Sequence, residues 1–139
     1  MSSVRWQALT IQQFSNAVNL ILGLSLAVLG FQINLLTNIN FAPSSCQKLF
    51  FTVSASLVFL SAAAGTLCTI NRLRDFRETA NTARAQERGH NDLADHHREQ
   101  SRQLGKLTWR LFWFQAWVFF GGVLLLVFDF AKIFHDKLF

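Results

Sequence analysis

A chain of 139 residues carrying 13 Lys and Arg against 8 Asp and Glu, net charge +5, has the size of one folding unit. Hydrophobic residues make up 51%, with 15 Phe, no Tyr and a single Pro, which is above the usual soluble composition. The charges crowd into one central stretch, which excludes an ordinary soluble core and points to an all-α integral membrane protein.

The first apolar run is Ala17 to Leu36, the second Leu49 to Ile70 and the third Leu111 to Phe128, none holding an Asp, Glu, Lys or Arg. A helix needs about 20 apolar residues to cross the ~30 Å hydrocarbon layer. We therefore expect three transmembrane helices, at about 17–36, 49–70 and 111–131, within a single membrane domain covering 1–139. An outer loop is expected at 37–48. The first run starts late, follows only Arg5 and lacks a prompt small-x-small site, so it reads as a retained helix rather than a signal peptide.

Nine of the 13 cations lie between the second and third runs, and Arg5 precedes the first. Three crossings put those ten on one side and Lys48, Lys132 and Lys137 on the other. Cytoplasmic segments retain Lys and Arg, which predicts the N-terminus and residues 71–110 inside and the C-terminus outside. Trp6 and Trp109 fall where interfacial aromatics belong. Six acids reduce the central segment to +3. Mixed signs at helical spacing argue for a solvated face and against nucleic acid. Arg72, Arg74, Arg77 and Arg110, next to the membrane, are instead candidates for lipid headgroup contact. Cys46 and Cys68 are separated by 22 residues of helix, about 33 Å, too far for a disulfide within the chain.

The central segment is rich in helix formers and lacks Pro, with one break at Gly89-His90-Asn91. It reads as an antiparallel helical hairpin that extends the second and third membrane helices into the cytoplasm. Folding the chain about residue 90 pairs Leu73 with Leu107, Phe76 with Leu104, Ala80 with Gln100 and Ala83 with His97. That is a heptad-like coiled-coil seam of Leu73, Phe76, Ala80 and Ala83 against His97, Leu104 and Leu107. Arg74 with Glu78 is an expected surface pair. The same register sets Ala62 to Gly65 opposite Gln115 to Val118. The stripe Trp109, Trp113 and Trp117, with Phe114 beside it, is expected to interlock with those small residues.

On the first helix Asn16, Asn19, Gly23, Ala27, Gly30 and Asn34 recur at steps of three and four and share one face. Small residues permit close helix approach and Asn hydrogen-bonds across helices. This face either packs on the other two helices of the chain or joins copies into a homo-oligomer, with a pore or channel lined by Asn and Ser as a further reading. The absence of charge within the runs argues against a pump. Asp129 is expected to pair with Lys132 at the outer boundary.

The segment His90 to His97 concentrates metal-binding residue types, and Asp92, His96 and Glu99 share a helix face fit for a metal. No nucleotide, nucleophile-elbow or zinc-protease motif occurs, so no cofactor is expected. The function expected is a non-enzymatic, self-assembling membrane protein whose partners are the bilayer and its own copies. A membrane adaptor docking a cytoplasmic protein through the hairpin is the second reading, and an enzyme or metal protein using the His90–His97 cluster the third.

Overall fold

The computed structural model describes residues 2–38 and 43–135, with side chains from residue 9 onward; Trp6, Arg5 and Lys137 lie outside the described side chains. Three helices make up the described chain: α1 (Ser2–Thr37), α2 (Ser45–Glu87) and α3 (Asn91–Ile133). Each is long and apolar enough to cross a membrane. α1 begins well before the first apolar run, because nothing among residues 2–16 breaks a helix. α2 is started by a capping box, in which Gln47 accepts the Ser44 backbone N–H at 2.7 Å. It then runs unbroken from the apolar segment into the charged one. It ends where Gly89 takes φ 73°, a left-handed conformation that costs glycine nothing. The chain turns there and α3 runs back antiparallel, so the predicted hairpin and its turn are present. At ~1.5 Å per residue the two 43-residue helices are each about 65 Å long.

α2 and α3 pack along their lengths, while α1 lies chiefly on α2 and touches α3 less. What joins them is a ladder of small and polar residues at seven-residue steps. On α2 the rungs are Ser54, Ser61, Cys68 and Asp75. They meet Gly122, Gln115, Thr108 and Ser101 on α3, also seven apart. α1 contributes Val18, Ser25 and Gln32 at the same step. A seven-residue repeat keeps one seam facing its partner along long helices.

This ladder replaces the register read from the sequence. Partners lie about four residues, one helical turn, nearer the turn than a fold about residue 90 predicts. Close approach in the apolar half decides it. A Cβ on Gly122 would stand 2.8 Å from Val58 Cγ2 and 3.3 Å from the Ser54 carbonyl, and one on Gly65 would collide with the Gln115 carboxamide. Because α2 and α3 are continuous, the register set there propagates into the charged arms. His97 and Leu104 stay partly covered in the seam, but Leu73 (65% exposed), Phe76, Ala80, Ala83 and Leu107 turn outward. Between the arms, buried Ala94 and half-buried Leu104 are accompanied by polar pairs. His97 Nδ1 donates to Glu78 at 2.7 Å, and Ser101 donates to Asp75 at 2.5 Å. Glu78 is thus held by His97 rather than by the expected Arg74.

The aromatic stripe is displaced for the same reason. Gln115, Ala116 and Phe119 are buried, Gln115 against Gly65 of the small patch, while Trp113, Phe114 and Trp117, the last at 72%, are exposed. Indole rings have no room where two backbones approach over glycine and serine. Trp109 stacks on Phe14 of α1 at 5.7 Å between centroids.

Candidate functional site

The six residues singled out on α1 are all exposed: Asn16, Asn19, Gly23, Ala27, Gly30 and Asn34. They lie on the uncovered side of α1, with Asn19 at its border, where it lines a small cleft with Cys68, Thr69 and Arg72 of α2. A Cβ built on Gly23 or Gly30 meets nothing within 4 Å. Most of this face is thus left uncovered by the other two helices. The inward face of α1 is Phe14, Val18, Ser25 and Gln32. The reason lies in hydrogen-bond matching. Gln32 reaches Ser54, and Ser25 lies 3.2 Å from Ser61, so the polar residues of α1 that meet α2 are the ones with partners there.

Inside the bundle the serine hydroxyls and the Gln32 and Gln115 amide nitrogens are engaged, while both carboxamide oxygens are buried without a hydrogen-bond partner among the described residues. The Gln32 carboxamide donates to Ser54 at 3.1 Å, and Ser54 donates to the Gly122 carbonyl at 2.7 Å. Ser61 donates to the Gln115 carbonyl at 3.0 Å, and the Gln115 side chain reaches the Val18 carbonyl at 3.4 Å. Such contacts average about 0.6 kcal/mol in membranes, so their sum and their fixed spacing matter more than any one bond. Thr66 and Thr69 bond the carbonyl four residues back and need no second helix. This ladder escaped the sequence reading, although its signal was there in the seven-residue spacing of Ser54, Ser61, Cys68 and Asp75.

Asp129 differs from its expected role. It is 1% exposed, and among the described residues neither carboxylate oxygen has a hydrogen-bond partner. Lys132 does not meet it. The ammonium sits 4.8 Å from the Phe128 ring and 5.9 Å from that of Phe50, held by cation–π attraction.

The four arginines expected at headgroup depth are not equivalent. Arg72 is half-buried and donates to the Ile11 carbonyl at 2.6 Å, which ties α2 to α1. Arg74 and Arg77 line an open groove of the hairpin together with Glu78, Leu104 and Leu107. Arg110 is exposed on α3. The proposed metal residues do not converge. Asp92, His96 and Glu99 are exposed, and among the described residues no three His, Cys, Asp or Glu side chains gather as a metal-holding group. Gln100 instead donates to His96 at 3.2 Å. Cys46 is exposed and Cys68 buried, and both are free thiols. No protein-family model, curated protein or solved structure matches the chain.

Proposed function

We propose that this chain is a non-enzymatic membrane protein that assembles with its own copies through the outer face of α1. The observation that carries the reading is the exposure of Asn16, Asn19, Gly23, Ala27, Gly30 and Asn34 on a helix of membrane-spanning length. A carboxamide facing hydrocarbon without a hydrogen-bond partner is costly. A second copy presents the same carboxamides between the same small residues, so the face is self-complementary, as a two-fold interface requires. A conducting path in this reading lies between copies, lined by Asn16, Asn19 and Asn34. The excess of Lys and Arg in the hairpin supports a cytoplasmic side for it in this reading.

The test is the native mass of the detergent-extracted chain beside that of an Asn19→Leu, Gly23→Leu, Gly30→Leu variant. A defined oligomer lost in the variant is the expected result, and a monomer in both would sink the reading. The adaptor reading draws support from the groove between the hairpin arms, which Leu104 and Leu107 line together with Arg74 and Arg77. That combination suits an acidic amphipathic segment of another protein.

A further inference from the structure

Arg72 sits where α1, α2 and α3 meet, just past the apolar part of α2. Its guanidinium carbon lies 5.6 Å from the Phe14 ring centroid and 5.5 Å from that of Phe76. A guanidinium carries five N–H donors in a rigid plane, and its hydrogen bond within the chain goes to the Ile11 carbonyl. Among the described residues no carboxylate comes within ion-pair distance of it. Yet Asp75 is one turn away on the same helix, with an oxygen fixed by Ser101. Opposite charges at that spacing ordinarily close on each other. Here both line a cleft of about 240 Å³ walled by Phe14 and Trp109. Gly105 also lines it, and a Cβ there would meet nothing within 4 Å.

We propose that this cleft seats the zwitterionic headgroup of a phosphoethanolamine lipid, with the phosphate on Arg72 and the ammonium on Asp75. This rests on the helices spanning a bilayer, which puts Arg72 and Trp109 at headgroup depth, and is independent of self-assembly. Two carbons separate the headgroup's phosphate ester from its ammonium, which holds the charges about as far apart as side chains one helical turn apart. The free N–H groups of Arg72 match phosphate oxygens. The ammonium has N–H groups to give Asp75, and the Trp109 ring adds a face for a cation. A purely anionic headgroup would meet the Asp75 carboxylate, and a choline has no N–H to offer it. The apolar flank of the cleft, formed by Ile11, Phe14 and Trp109, receives the upper acyl carbons.

The experiment is native mass spectrometry of the full chain, released from micelles doped equally with phosphatidylethanolamine, phosphatidylcholine and phosphatidylglycerol of matched acyl chains. The expected result is preferential retention of the ethanolamine lipid. Arg72→Gln should lower that retention about tenfold, the size of one lost charge-assisted contact. Asp75→Asn should reverse the order in favour of the glycerol lipid, an exchange that a merely structural role for Asp75 would not produce. Burial of the Cys68 thiol reports that each variant is folded. Should Asp75→Asn fail to fold, Trp109→Leu carries the test, with a reduced preference for the ethanolamine lipid expected. Equal retention of all three lipids by the native chain would overturn the proposal, as would an unchanged order in Asp75→Asn. Displacement of the lipid by soluble glycerophosphoethanolamine would overturn the assignment to a membrane lipid.

Discussion

Gly121 and Gly122 are neighbours on α3 with opposite surroundings, and alanine at each should have opposite effects. At Gly121 a Cβ meets nothing within 4 Å, so the substitution adds only helix propensity, up to about 1 kcal/mol. At Gly122 the same atom would lie 2.8 Å from Val58 Cγ2, 3.2 Å from Leu57 Cβ and 3.3 Å from the Ser54 carbonyl. Val58 is β-branched and stiff at χ1, and the Ser54 carbonyl is backbone, so neither yields cheaply. Overpacking of this kind costs about 1–3 kcal/mol. Separating the helices also strains the Ser54 hydrogen bond to the Gly122 carbonyl, worth about 0.6 kcal/mol. The propensity gain is common to both variants and drops out of their difference, which leaves roughly 2–3 kcal/mol. The buried Cys68 thiol, 3.6 Å from the Thr108 carbonyl, is a built-in reporter of α2–α3 opening. In a Cys46→Ser background, labelling of Cys68 by a membrane-permeant maleimide should run about 30-fold faster or more in Gly122→Ala than in Gly121→Ala. Equal rates in the two variants would refute the register of the helix pair and the ladder built on it.

Asp129→Asn should leave stability unchanged or raise it, because the carboxylate is buried without a hydrogen-bond partner; thermal unfolding in detergent checks this, and clear destabilisation would reveal a missed partner. His97→Ala should speed amide exchange in the hairpin arms while leaving the apolar halves of α2 and α3 unaffected. The effect is at most about 1 kcal/mol, since the pair with Glu78 is about a quarter exposed. Leu73→Ser together with Leu107→Ser should leave hairpin exchange nearly unchanged, whereas Leu104→Ser should accelerate it, as expected if Leu73 and Leu107 lie outside the intrachain seam.

The three helices, their lengths and the turn were legible in the sequence because each depends on local quantities. A run of about 20 apolar residues needs no partner to be recognised, and Gly89 marks the turn through its own backbone freedom. The face shared by Asn16, Asn19, Gly23, Ala27, Gly30 and Asn34 was legible too, as helical periodicity. Where that face points was not. Its direction depends on which residues of α1 find partners on α2, and Ser25 and Gln32 win that competition through Ser61 and Ser54. The hairpin seam does not follow the apolar stripe that the sequence offers. Leu73, Phe76 and Leu107 do form such a stripe, but α2 and α3 are continuous rods, and a rod's register is set wherever contact is tightest. That point is the approach over Gly65 and Gly122, tens of residues from the turn. Composition and periodicity by themselves determined that the chain has three spanning-length helices and a polar hairpin. Only the tertiary structure decided which face of each helix is inside, because side-chain volume at a few close contacts fixes the rotation of the whole helix and carries every distant residue with it.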